Sequence, residues 1–264
     1  MAEGHRSVRM GIDVGGTYTK CVALDNLTHK IIGKNEVKTT HDDPRGVAAG
    51  VVESFRNCLV ENNIAPEDVV FVAHSTTQAT NAFIEGDVAS VGIVGVAGGG
   101  LEGLLAKRQL NIGDVILDAE VGRKIPIHST FIKKKQLSDQ TIEAALDELI
   151  NAGSQVIVAS MAFGVDNMTE EQRIQDHVQE RGLPVTMASD ITKLYGLTRR
   201  TRTAAMNAAI LPKMMATANA TESSVREAGV TVPLMIMRGD GGVMEISEMR
   251  KRPILTALSG PAAS

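Results

Sequence analysis

The 264-residue chain carries 27 basic and 31 acidic side chains, a formal charge of −4, with 3% aromatics and no tryptophan. That balance excludes nucleic-acid binding, which needs a concentrated basic face and base-stacking rings; the run Lys133–Lys135 reads as a solvated strand end. No stretch reaches the roughly 18 uncharged apolar residues of a membrane span, MAEGHRSVR lacks the apolar segment of a secretory leader, and Cys21 and Cys58 read as buried, reduced thiols, so a cytoplasmic protein is expected.

Three strands, at 8–14, 20–25 and 30–38, open the chain and are joined by tight turns. Asp43 as N-cap and Pro44 as first helical residue start a helix whose Val47, Val51, Phe55 and Leu59 share one buried face. His41, Asp42 and Asp43 look like metal ligands on paper, but a loop ending in that cap accounts for them. The β-branched run at 69–73 reads as a strand covered on both faces. A helix near 77–85 and a second such run at 88–97 follow. Next come a strand at 130–133 and a helix at 139–152, with Ile142, Leu146, Leu149 and Ile150 at helical spacing and Gly153 past its end. A buried strand at 155–162 precedes a helix opened by a Thr169/Gln172 capping box and closed by Gly182 and Pro184. A strand at 184–188, a long helix from about 192 to 228 and a strand at 232–238 complete the order. Three consecutive strands followed by alternating units predict a mixed α/β layer fold and not an all-parallel dinucleotide sheet.

The segment GIDVGGTYTK, residues 11–20, carries the clearest chemistry. An apolar strand (Val8, Met10, Ile12) delivers Asp13. Gly15 and Gly16 then permit a sharp turn with φ > 0 and close approach of a ligand, and the hydroxyls of Thr17, Tyr18 and Thr19 follow. Successive N–H groups in such a turn form a nest for phosphate oxygens, and Asp13 is placed to hold a hydrated magnesium ion beside them. A plain Gly-Gly hairpin is the alternative.

Further candidates lie downstream. His74, Thr76, Thr77 and Asn81 stand where a buried strand becomes a helix, a place where ligand groups gather; Ser75 or Thr76 as a simple helix cap is equally open. His74 as a general base requires a partner that fixes its tautomer. Arg200 is a candidate contact for an anion or, with Arg199 and Arg202, part of a solvated helix start. Asp240, Gly241 and Gly242 form either a tight turn or a cleft wall. GGGLEG at 98–103, with Asp118 and Glu120 downstream, fits a dinucleotide fingerprint; its short helix and the antiparallel opening of the chain count against it. Neither a P-loop nor a Gly-x-Ser-x-Gly elbow occurs.

The Asp-x-Gly-Gly-Thr opening resembles the first phosphate motif of the superfamily that contains actin, sugar kinases and heat-shock chaperone ATPases. HSTTQATNAF (74–83), RRTRTAAMNAAILP (199–212), MIMRGDGGV (235–243) and LSGPAAS (258–264) resemble, in order, segments of the ATP-dependent hydantoinase A/oxoprolinase family. That group also includes large subunits of acetone and acetophenone carboxylases. Lys20, Ser75, Arg199 and Gly239 depart from its pattern, which has an acid, a glycine, a glutamate and a serine there. Lys20 instead resembles the lysine of reductase activators and some kinases of the wider superfamily.

The resemblance implies a ribonuclease-H-like mixed sheet flanked by helices, the first lobe of an actin-like ATPase fold. Its core is expected at about 8–97, with an α/β continuation at 98–264 and a hinge at Gly260 and Pro261. The second ATP-binding lobe of the family is absent from these 264 residues, so weak nucleotide binding by the chain alone is expected. It further implies ATP and Mg2+ as cofactors, with Asp13 holding the metal through water. Gly15, Gly16, Thr17, Thr19 and Lys20 would meet phosphate. His74 would stand at the reaction centre, and Thr76, Thr77, Asn81, Arg200, Asp240, Gly241 and Gly242 would line the cleft. The implied reaction is hydrolysis of a cyclic amide of hydantoin or oxoproline type through phosphorylation of its carbonyl oxygen, with a hydantoinase B-like second subunit. A ketone carboxylase subunit and a non-catalytic nucleotide-sensing or activator ATPase are the alternatives.

Overall fold

The computed structural model describes residues 6–40 and 48–259. The expected Asp43–Pro44 helix start, Val47, the loop at 41–43 and the hinge at Gly260 and Pro261 lie outside them. In chain order the first elements are β1 (Val8–Val14), β2 (Tyr18–Asp25), β3 (Ile31–Lys38), α1 (Ala48–Glu61), β4 (Val69–Thr76) and α2 (Gln78–Glu85). Then come β5 (Val91–Ala97), α3 (Gly100–Leu110), β6 (Val115–Asp118), β7 (Arg123–Ile125), β8 (Ile127–Lys133), α4 (Asp139–Asn151) and β9 (Val156–Met161). The last are α5 (Thr169–Glu180), β10 (Val185–Met187), α6 (Ala188–Ile191), α7 (Leu197–Glu227), β11 (Leu234–Met237), β12 (Val243–Glu245) and α8 (Ile246–Met249).

These elements form two compact units, one drawn from Met1–Thr80 and Lys213–Ser264, the other from Asn81–Pro212. The first holds a six-stranded sheet of order β12-β11-β4-β1-β2-β3. Strand β1 pairs antiparallel with β2 and parallel with β4, so the sheet is mixed, as the three opening strands led us to expect. The second unit holds a four-stranded sheet, β10-β9-β5-β8, whose pairings are all parallel. The expected core at about 8–97 therefore needs adjustment. Strand β5 belongs to the parallel sheet, while β11 and β12 return to complete the mixed one. Strand pairing over so long a sequence separation leaves no local signal.

In the mixed sheet, β1 buries Val8, Met10, Ile12 and Val14 and turns Arg9 and Asp13 outward, the period of two expected of a strand with one covered face. Cross-strand neighbours share a face, so Cys21 lies beside Ile12. Helix α1 packs on β2 and β3 and buries Val51, Phe55, Cys58 and Leu59. Both cysteines are free and buried. Strand β4 is not covered on both faces as its sequence suggested: Val70 is exposed, and Phe71 lies half-buried under the Arg9 guanidinium, 5.8 Å from its ring centroid.

In the parallel sheet, β5 and β9 are buried at every position. Ile142, Leu146, Leu149, Ile174 and Val178 of α4 and α5 pack with Val94, Val96 and Ile157. Ala204, Ala205, Ala208 and Ala209 of α7 pack with Val91, Ile93, Val156 and Val158. Small side chains let that helix lie close to the strands. The expected capping box at Thr169 and Gln172 does not form; Asn167 instead accepts the Thr169 N–H and hydroxyl through Oδ1. A box does close α4, between Ser138 and Thr141. No helix among the described residues is long and apolar enough to cross a membrane.

Candidate functional site

The turn between β1 and β2 is braced from within. The Gly15 N–H donates to the Tyr18 carbonyl at 3.0 Å, and a Cβ at Gly15 would stand 3.0 Å from that same oxygen. Neither Gly15 nor Gly16 has a positive φ; Gly15 is required by close approach and not by a left-handed backbone. Thr39, just past β3, clamps the turn by donating its hydroxyl to the Gly15 carbonyl at 2.8 Å and its N–H to the Thr17 carbonyl at 2.9 Å. Thr19 is fully buried with its hydroxyl 3.2 Å from that of Thr39.

Two expectations change as a result. The Gly15 amide and the Thr19 hydroxyl are committed to the turn itself, so they are not phosphate donors. Asp13, Gly16, Thr17 and Lys20 remain exposed along the outer side. Around a Cβ built on Gly16 no heavy atom lies within 4 Å.

Asp13 sits in a cross-strand row. It lies opposite Lys20 on β2 and Ser75 on β4, and Lys20 in turn lies opposite Glu36 on β3. Ser75 donates its hydroxyl to Asp13 Oδ1 at 2.6 Å. The Lys20 ammonium is 3.7 Å from the Glu36 carboxylate, both groups about half exposed, a geometry worth little in water. Two of the four departures from the family pattern, Lys20 and Ser75, are thus the direct neighbours of Asp13. From sequence Ser75 reads as a helix cap, because the parallel register of β1 and β4 is written nowhere in the local pattern.

His74 falls on the opposite face. Its cross-strand neighbours are Ile12 and Ile236, both buried, and it is itself 0% exposed with neither ring nitrogen hydrogen-bonded. Burial lowers its pKa to about 4, against the opposing charge of Asp13, so the ring is neutral. The pleat separates it from the Asp13 row, and no partner fixes a tautomer. Thr76 is fully buried; its Oγ1 accepts the Gln78 N–H at 3.2 Å and its carbonyl accepts the Ser259 hydroxyl at 2.9 Å, so the capping role describes it. Thr77 is half-buried; Asn81, also half-buried, belongs to the other compact unit.

Arg200, in the second unit, is not a surface group. It is 0% exposed and donates to the carbonyls of Met161 at 2.6 Å and Leu194 at 2.7 Å. Buried Glu171 accepts the Met161 and Ser189 N–H groups, each at 2.9 Å. Burial pushes the Arg200 guanidinium down and the Glu171 carboxyl up. Together they hold the N–H and the carbonyl of Met161, a structural task. Arg199 and Arg202 are exposed, as a solvated helix start requires.

Asp240, Gly241 and Gly242 make the β11–β12 turn. Asp240 Oδ1 accepts the Gly242 N–H at 3.0 Å, Arg238 holds Oδ2 at 2.6 Å, and Gly241 takes φ +83°. Gly239 has a packing reason: a Cβ there would stand 2.1 Å from the Ala257 carbonyl oxygen.

The GGGLEG segment does follow β5 and open α3. Asp118, however, accepts the N–H groups of Glu120 and Val121 within its own β6–β7 hairpin. The neighbouring parallel strand β8 ends in Lys133, where the fingerprint needs an acid. The dinucleotide reading has no support in this arrangement.

No group of three or more His, Cys, Asp or Glu side chains among the described residues is disposed to hold a metal. A cation at this turn would lean on Asp13 alone plus anionic ligand oxygens, a pattern that suits magnesium.

The profile of the hydantoinase/oxoprolinase N-terminal region matches residues 9–182, and that of hydantoinase/oxoprolinase matches residues 200–264. The chain is 25% identical to caprolactamase subunit alpha of Pseudomonas jessenii over 97% of its own length and 39% of that protein. It is 21% identical to the acetophenone carboxylase gamma subunit of Aromatoleum aromaticum, covering 89% of this chain and 35% of that one. Among solved structures, nucleotide-free acetone carboxylase superposes with a TM-score of 0.70 at 20% identity, and the ATP-dependent caprolactamase of P. jessenii with 0.67 at 23%. Each alignment covers 97% of this chain and 39% of the other, so the chain spans about two-fifths of the relatives it matches. The fold is shared with acetone carboxylase and caprolactamase, and the chain belongs to the hydantoinase/oxoprolinase family.

Proposed function

We propose that this chain forms the phosphate-facing lobe of an ATP-dependent hydrolase of cyclic amides. The observation that carries the reading is the exposed row at the β1–β2 turn. Asp13 there presents a carboxylate beside the exposed residues Gly16 and Thr17, with Lys20 one strand away. Phosphorylating a lactam or imide oxygen turns a poor electrophile into a reactive one, and the protein's part is to position and neutralise charge. Asp13 would hold magnesium, which would supply positive charge to offset that of the phosphates. Thr17 and the Gly16 backbone would line the phosphates. Lys20, loosely held by Glu36, would add a point charge. Thr77, in the same unit as Asp13, stays a candidate for the substrate side.

The names of two relatives support this reading: one is a caprolactamase subunit alpha, and the solved caprolactamase is described as ATP-dependent. Subunit designations among the relatives support a second chain as partner, for which a hydantoinase B-like subunit is the proposal. A ketone carboxylase is the alternative, favoured by the acetophenone and acetone carboxylase likenesses.

The test uses the complete enzyme assembled with its partner. Phosphate release is measured with caprolactam, hydantoin, 5-oxoproline or a ketone plus bicarbonate. Asp13→Ala is expected to lower magnesium-dependent ATP cleavage by more than about 100-fold, beyond the loss typical of an outer-shell group. The thermal midpoint should barely move, since an exposed carboxylate supports no core. Unchanged turnover in that variant removes the assignment, and stimulation by ketone alone transfers it to the carboxylases.

A further inference from the structure

A carboxylate that is to hold a hydrated cation has to be held itself. The terminal torsion of an aspartate is broad, and fixing it after a ligand arrives costs entropy that a prior hydrogen bond removes. In this chain that bond exists. Ser75 stands beside Asp13 in the parallel register of β4 and β1 and donates its hydroxyl to Oδ1 at 2.6 Å. That length is at the short end of the hydroxyl-to-oxygen range. Ser75 is 6% exposed, so water does not compete for the donor, whereas Asp13 is exposed. No other hydrogen bond or ion pair to Asp13 exists among the described residues, and Oδ2 is left without a protein partner.

The other flank of the row supports the same conclusion. Lys20 is the cross-strand neighbour of Asp13 on β2, where an ammonium would be expected to neutralise the carboxylate. It lies instead 3.7 Å from Glu36, one strand further out. Asp13 is therefore oriented on one side by a neutral donor and not cancelled on the other by a cation. One oxygen is fixed and one is free, with its charge intact.

We propose that Ser75 is a positioning residue: its hydroxyl fixes the Asp13 carboxylate so that the free oxygen is presented to a divalent cation accompanying a nucleotide. This inference rests on the reading of Asp13 given above.

The complete enzyme assembled with its partner, isotope-labelled at glycine and threonine, is titrated with Mn2+ in the presence of ATP, followed by paramagnetic broadening of the Gly16 and Thr17 amide signals. Ser75→Ala is expected to raise the Mn2+ midpoint about tenfold, the effect of removing an outer-shell partner of a metal ligand. Its thermal midpoint and its broadening by ATP-free Mn2+ at remote sites should stay as in wild type. Asp13→Asn should abolish the local broadening, and adding Ser75→Ala to it should change nothing further, the non-additivity expected of a bonded pair. If Ser75→Ala keeps the wild-type midpoint while Asp13→Asn loses the effect, the role of Ser75 is overturned and that of Asp13 stands. If wild type shows no Mn2+-dependent broadening at these amides, or Asp13→Asn leaves it intact, the reading of Asp13 fails and Ser75's role fails with it.

Discussion

The six-stranded and four-stranded sheets use similar apolar residues, yet of their inner strands only those of the first leave polar side chains in reach of solvent. In β1 and β2 alternate residues face outward, and Asp13 and Lys20 occupy those positions. In β5 and β9 every position is buried, because α4 and α5 pack with some of their side chains and the alanines of α7 with others. A parallel sheet joined by crossover helices is covered on both faces, whereas an antiparallel opening permits one face to stay wet. The buried charges of the second unit, Arg200 and Glu171, are correspondingly spent on backbone groups. Polar residues in the two regions thus differ in task, and burial, not residue type, tells which.

That contrast is most directly broken at Arg200. Arg200→Ala should cost about 3 kcal/mol or more in equilibrium unfolding, because it strands the Met161 and Leu194 carbonyls and leaves buried Glu171 without its nearby cation. Measured denaturation midpoints near wild type would return Arg200 to the list of ligand contacts. Arg200→Lys should recover little, since a point charge cannot span both carbonyls.

A smaller effect comes from two histidines whose pH signs are opposite. His74 in the mixed-sheet unit has its pKa lowered to about 4 by burial. The unfolded chain then binds the extra proton, and stability is lost as pH falls from about 6.5 toward 4. For His177 in the parallel-sheet unit, burial alone would push downward, but hydrogen bonds to Asp139 and Glu143 outweigh it and raise the pKa. Its contribution is present below the ordinary histidine range and lost as pH rises through the raised value. Unfolding curves between pH 4 and 8 should therefore lose low-pH sensitivity in His74→Gln and high-pH sensitivity in His177→Gln. Identical pH profiles for the two variants would sink the comparison.

The smallest expected change is at Lys20. Lys20→Gln should shift stability by no more than about 0.5 kcal/mol, because its ion pair with Glu36 is long and half exposed. A larger loss in a thermal melt would mean that the outer face carries structural weight.

The strand-helix order was largely legible. Alternation, buried apolar runs and helical spacing located β1, β3, α4 and β9 to within one or two residues and α7 to within five, and Gly153 and Gly182 end their helices with positive φ as expected. The site was less legible. Sequence placed Asp13, Gly16 and Thr17 together because they are neighbours in the chain. It could not separate His74 from them, since strand pairing puts adjacent residues on opposite faces. It also gave no sign that Thr39 and Ser75 reach the turn, which they do only through β3 and β4.

Local pattern by itself determined the longer elements, the mixed α/β class and the turn with its carboxylate, because each depends on backbone preferences and periodicities spanning a few residues, whereas the short β6–β7 hairpin and β12 escaped it. Tertiary structure alone decided which sheet β5, β11 and β12 join, which face carries His74, whether Thr19 and Arg200 are free or committed, and what stands beside Asp13. Those outcomes are set by pairing register and burial, properties of contacts between segments tens to hundreds of residues apart.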